Sequence, residues 1–169
     1  MSNPPTSEEK YVVMYSGLDN NVDPDINSGT LFAIWKRVTT KFRPVSEKED
    51  VLQSCNQMLA SGYCMYGQGM QLVIALGPDV NGFSYDPSLR EFILTQRKIK
   101  AALKSGYLSI DASKEAHWEP QIKLFLNRRS SRKDKKQSFR YSGSLVADAH
   151  RTLLEGGILM FPYIVNPSN

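Results

Sequence analysis

The sequence predicts an α/β protein, a mixed β-sheet with flanking helices. Three observations carry this. Segments with helical period alternate with segments of period two along the chain. The centre, from Tyr63 to Thr95, is a series of short strand-like runs separated by Gly, Pro and Asp. Near the C-terminus a helical stretch stops at Gly156-Gly157 and gives way to the apolar run Ile158-Leu159-Met160-Phe161.

Residues 1–10 are polar and contain proline, and read as an arm. Tyr11-Val12-Val13-Met14-Tyr15 reads as a strand, residues 16–28 as a loop rich in Asn, Asp and Gly, and Thr30 to Trp35 as a second strand. Ser46-Glu47-Lys48-Glu49 has the form of a capping box. Behind it Val51, Leu52, Cys55, Met58 and Leu59 recur at helical spacing, which predicts a helix over 47–60. Tyr63–Tyr66, Gln71–Leu76, Gly82–Tyr85 and Phe92–Thr95 then read as an antiparallel meander. Tyr107–Ile110 is a further strand. Asp111 or Ser113 can cap a helix near 114–127, where Pro120 is tolerable only in the first turn. Residues 128–137 read as a charged linker, Phe139–Tyr141 as a strand start, 144–154 as a helix and 158–161 as a buried strand.

The 169 residues suffice for about one domain. Hydrophobic residues make up 41% and charged residues 22%, and eight Tyr, seven Phe and two Trp can build a core, which excludes a disordered chain. No apolar run approaches the roughly 20 residues of a membrane span. Met1-Ser2-Asn3-Pro4-Pro5 lacks the pattern of a secretory signal, so the expected location is the cytoplasm or an organelle (mitochondrion or plastid). Cys55 and Cys64 are too few for a disulfide scaffold and match no zinc motif.

Read without any family, the candidate functional residues are sparse. Arg128, Arg129, Arg132, Lys133, Lys135 and Lys136 form a basic segment. Phosphate binding is one reading and a solvated loop the ordinary one. The absence of interleaved aromatics leaves nucleic acid unsupported. Asp19, Asp23 and Asp25 share one loop, as Mg²⁺ ligands or simply as turn formers. His117 and His150 lack metal-ligand spacing, and a structural role bonded to Asp or backbone suits His150. Arg140-Tyr141 precedes a helix start and makes a reasonable anion site.

Several segments together resemble class I fructose-1,6-bisphosphatase. Arg140-Tyr141-Ser142-Gly143-Ser144-Leu145-Val146-Ala147-Asp148-Ala149-His150-Arg151-Thr152-Leu153, followed by Gly156-Gly157-Ile158, resembles that family's RYVGSMVADVHRTL…GGI. Ala60 to Gly67 resembles AAGYALYG, Asp86 to Leu94 resembles DPAIGEFIL, and Gly29 to Ile34 resembles GTIFGI. The resemblance covers residues 10–162. It implies the family's layered fold, truncated here at both ends. Residues 11–105 resemble the end of the N-terminal part, and residues 106–169 resemble most of the C-terminal catalytic part.

The resemblance also implies a chemistry, metal-assisted hydrolysis of a sugar phosphate by carboxylate-held Mg²⁺. Against the family's FDPLDGSSN this chain has Tyr15-Ser16-Gly17-Leu18-Asp19-Asn20-Asn21. Ser16 replaces the first metal-binding Asp, Asp19 keeps the second as a vestigial ligand, and the two serines are deleted. The downstream Glu ligand and phosphate-binding Lys fall beyond Asn169. Against SLNEGY stand Ser109-Ile110-Asp111-Ala112-Ser113-Lys114, so the Asn and Tyr that hold the sugar 6-phosphate become Asp111 and Lys114. Arg140 and Tyr141 are kept, and the family's later Tyr is Phe161.

Scaffold residues such as Tyr63, Gly67, Asp86, Pro87 and His150 match while the catalytic ones do not. The expectation is a degenerate fructose-1,6-bisphosphatase that is not a competent enzyme by itself and needs no cofactor. It would serve as a structural or interaction subunit, in a homo- or hetero-oligomer or a larger assembly. The alternative is a weakly active Mg²⁺-dependent phosphatase completed by another chain. Residual binding of phosphate or sugar phosphate by Arg140, Tyr141, Lys114 and Asp111 is open in both.

Overall fold

Period-two alternation of aromatic and β-branched residues makes Tyr11–Ser16 (β1) and Ser28–Lys36 (β2) extended, and the two pair antiparallel. In the computed structural model the described residues are 10–16, 27–38, 47–102, 107–130 and 138–162. The expected N-terminal arm (but for Lys10), the loop with Asp19, Asp23 and Asp25, and the basic segment past Ser130 lie outside them. Four more strands follow: Met58–Tyr66 (β3), Gln71–Leu76 (β4), Asp79–Asp86 (β5) and Glu91–Gln96 (β6). All six form one antiparallel sheet in chain order, and the predicted four-strand meander is its second part, β3 to β6. β1 and β6 are its two edges.

The helix expected over 47–60 is much shorter. It spans Glu47–Val51 (α1), and a single 3₁₀ turn follows at Cys55–Gln57. The apolar residues that suggested it are not a buried stripe, since Leu52 is 77% exposed and Leu59 45%. Two competitors end the helix. The Ser54 side chain accepts from the Asn56 N–H, and Met58 and Ala60 are taken into the ladder opposite Trp35 and Ile34. Pairing with a strand already in place outweighs a modest helical preference.

The second sheet is small and parallel. Tyr107–Ser109 (β7) lies between Ser138–Phe139 (β8) and Ile158–Leu159 (β9). Both strand directions are therefore present, each in its own sheet. The helix expected near 114–127 is two pieces, a 3₁₀ helix at Ala112–His117 capped by Asp111 and an α-helix at Pro120–Ser130 (α2). Proline at the first helical position has no N–H to waste and a preset φ, so it starts a new helix. Residues 128–130, expected as linker, are its last turn. Arg140 and Tyr141 lie just beyond β8, and β9 stops at Leu159, half-buried, where a buried strand to 161 was expected.

Leu145–Glu155 (α3) joins the two sheets. Its N-cap Ser144 accepts from the Ala147 N–H, and Gly156 closes it at φ 78°. Val146 is wholly buried and packs with Tyr63, Met65 and Val73 of the large sheet. A Cβ on Gly29 would lie 2.8 Å from Val146 Cγ1, so the sheet has a glycine where the helix presses on it. On the other side, Gly157 starts the return to β9, and its missing Cβ would lie 2.6 Å from the Tyr107 carbonyl oxygen. Leu108, Ile110, Trp118 and Leu126 form a second core between β7 and α2. Full burial of side chains such as Leu108 and Ile110 is worth about 1.5–3 kcal/mol each.

Candidate functional site

Parallel strands all leave a sheet at the same end, and that end is where α/β proteins bind ligands. Here the exits of β7, β8 and β9 carry Ile110-Asp111, Arg140-Tyr141 and Met160-Phe161. The register holds them together: Arg140 N–H donates to the Leu108 carbonyl at 2.9 Å, and Met160 N–H to that of Ser109 at 2.9 Å. The fold thus brings the sequence-predicted Asp111, Arg140 and Tyr141 to one edge of the small sheet.

Their side chains are already engaged. The Asp111 carboxylate accepts from the Ser113 hydroxyl at 2.6 Å and the Ser113 N–H at 3.2 Å, and pairs with Lys114 Nζ at 3.2 Å. The Ser113 hydrogen bonds, with Lys114 beside them, hold this carboxyl below the usual range. Asp111 and Lys114 thus satisfy each other. The Arg140 guanidinium lies over the Tyr107 ring, 4.4 Å from its centre. Its Nη1 is 3.9 Å from Glu155 at the far end of α3, with both side chains about half exposed.

A buried clamp lies behind Arg140. The Asp148 carboxylate is fully buried and accepts from the Ser142 N–H at 3.1 and 3.2 Å. It also pairs with Arg151, whose Nη2 donates in turn to the Arg140 carbonyl. Sequence reading missed this group and Glu155. The i,i+3 spacing of Asp148 and Arg151 was the available signal. His150 is structural as expected, with a different partner. Its Nδ1 lies 2.8 Å from the Tyr63 hydroxyl, tying α3 to β3. Burial pushes the Tyr63 phenol up to about 12 and His150 below its usual value.

At the other sheet, Ser16 ends β1 opposite Leu31. It is one of the residues lining an open apolar trough of about 580 Å³, with Met14, Leu31, Ala33, Ala75 and Leu153. Magnesium takes hard oxygen donors, usually carboxylates. Ser16 offers one neutral hydroxyl in apolar surroundings, and among the described residues no three His, Cys, Asp or Glu converge. The described donors do not fit the family's metal set, and Asp19 lies outside them. No helix among the described residues is long and apolar enough to cross a membrane.

An antiparallel meander, joined through one helix to a small parallel sheet with polar residues at its strand exits, defines a layered α/β protein. The chain matches the pattern of fructose-1-6-bisphosphatase, N-terminal domain, over residues 2–97 and that of the C-terminal domain over residues 102–168. It belongs to the fructose-1,6-bisphosphatase family. It is 41% identical to the cytosolic fructose-1,6-bisphosphatase of Brassica napus over 157 residues, covering 90% of this chain and 45% of that one. For the Beta vulgaris enzyme the figures are 41% over 162 residues, 94% and 47%. The apo crystal structure of the Leishmania major enzyme superposes with a TM-score of 0.82 at 32% identity, covering 92% of this chain and 51% of that one. The chain spans about half the length of the relatives it matches.

Proposed function

We propose that this chain is a non-catalytic member of the fructose-1,6-bisphosphatase family that works as an interaction subunit of an oligomer or larger assembly. One observation carries the reading. Where the family pattern has its first metal-binding carboxylate, this chain has Ser16, in the lining of an apolar trough. The substitution removes a charge that Mg²⁺ needs, and the trough leaves apolar surface open in the way that interaction sites do. The internal ion pair of Asp111 and Lys114 supports it from the sugar side.

Phosphate release from fructose 1,6-bisphosphate with Mg²⁺ tests the proposal, together with native mass measurement of material from its own source. Turnover near the enzyme median of about 10 s⁻¹ would overturn it. So would a stable monomer without partners. The Brassica napus and Beta vulgaris relatives are cytosolic enzymes, which supports the same location here.

A second reading is supported by the pair Arg140-Tyr141 at the exit of β8, which the resemblance implies as a phosphate or sugar-phosphate contact. On that reading the chain is a weak sugar phosphatase completed by another chain, with Mg²⁺ held largely by that chain. Activity restored on mixing with a complete relative separates the two.

A further inference from the structure

Segment 140–144 is held at four points. The Arg140 N–H is fixed to Leu108, the Arg140 carbonyl to Arg151, the Ser142 N–H to Asp148, and Ser144 caps α3. Two of the four run through Asp148 and Arg151. An ion pair with a wholly buried carboxylate is a poor way to stabilise a helix, because taking that charge out of water costs much of what the attraction returns. This pair reaches off its own helix at both ends. Asp148 grips the loop N–H, and Arg151 grips the carbonyl of the residue whose guanidinium lies on Tyr107.

We propose that Asp148 and Arg151 are positioning residues for Arg140, holding its guanidinium over the Tyr107 ring, where it would meet a phosphate monoester. The ligand part rests on the reading of Arg140 as an anion contact given above. The positioning part does not. A free arginine side chain loses much rotamer freedom when it binds, and a pre-placed one loses less, so the clamp acts on affinity without touching the ligand.

The test uses the whole chain and two readouts. One is the ring-current shift of the Arg140 Nε–H, assigned with Arg140→Lys, which reports its place over Tyr107. The other is titration with inorganic phosphate and with fructose 6-phosphate. In Arg151→Met the shift is expected to move to the value of a free arginine and phosphate affinity to fall about tenfold. Arg151→Lys, which keeps a charged donor, is expected to stay near wild type. Arg151→Gln cannot span Asp148 and the Arg140 carbonyl together and gives the same readings if Arg151→Met does not fold. A folded Arg151→Met or Arg151→Gln with unchanged shift and affinity overturns the proposal. If wild type binds no phosphate but the shift responds as stated, the positioning stands and the anion reading falls.

Discussion

Val146→Ala probes the joint between the two sheets. Val146 is 0% exposed, and its two γ-methyls occupy the space over Gly29. Removing them forfeits about 0.8 kcal/mol of burial for each methyl-sized group. The hole cannot close fully between a helix and a sheet and adds to this, giving about 2–3 kcal/mol in all. For a chain of this size that lowers Tm by roughly 5–10 °C. Gly29→Ala attacks the same joint from below. Its Cβ would meet the Cys64 carbonyl oxygen at 2.6 Å and the Val146 methyls at 2.8 and 2.9 Å. Overpacking of this kind costs about 1–3 kcal/mol. In the double variant the methyl clashes are gone, the new Cβ partly fills the hole, and only the carbonyl clash remains. The pair is therefore less destabilised than the sum of the singles, by about 1 kcal/mol. Urea unfolding followed by tryptophan fluorescence measures all four corners of the cycle. A Val146→Ala cost below about 0.5 kcal/mol, or additivity within about 0.3 kcal/mol, would refute the reasoning.

Two other expectations follow from single contacts. Glu155→Gln removes the carboxylate 3.9 Å from Arg140, so phosphate affinity at low salt rises by up to about fivefold, the range of an exposed pair. The gain fades toward 1 M salt; unchanged affinity at low salt counts against it. The third expectation concerns pH. Burial raises Tyr63 from 10.0 to about 12, so the unfolded chain loses this proton first. The contribution is complete below pH 10 and disappears as pH rises to about 12. His150 is lowered from 6.5, so its contribution is present above pH 6.5 and is lost as pH falls below it. Tm against pH for wild type, Tyr63→Phe and His150→Gln is the measurement. Tyr63→Phe is expected to flatten the alkaline loss and His150→Gln the acid one, and curves parallel to wild type would sink the assignment.

The meander was legible because alternation along a strand is local and its turns are spelled out in Gly, Pro and Asp. The helix over 47–60 was misread for the opposite reason. Met58-Leu59-Ala60 carries both periods, and the choice was made by β2, a partner distant in sequence. Pro120 was recognised as tolerable only in a first turn, yet the helix was begun at 114, since the 3₁₀ turn capped by Asp111 imitates a helix start. At the site, Arg140 and Tyr141 were found because their motif lies in one stretch. The Asp111–Lys114 pair follows from a spacing of three on a tight helix. Asp148 was passed over because a buried acid reads like an exposed one until the loop it grips is placed. The hydroxyl of Tyr63 on His150 joins residues 87 positions apart, which no local pattern records.

A meander that does not close into a barrel leaves two rows of backbone donors and acceptors facing outward, and here the rows are unlike. β6 is joined to β5 through a register shift at Gly82/Phe83 and is flanked by Arg90, Arg97 and Lys98, which twist and charge that margin. β1 runs in unbroken step with β2 from Tyr11 to Ser16, and it holds out Tyr11 at 57%, Val13 at 58% and Tyr15 at 78% exposure. Nothing in its six residues is charged. Among the described residues β1 is therefore the edge that less opposes growth of the sheet by a further strand. A lysine at position 13 would suppress that growth while leaving the rest of the fold as it is.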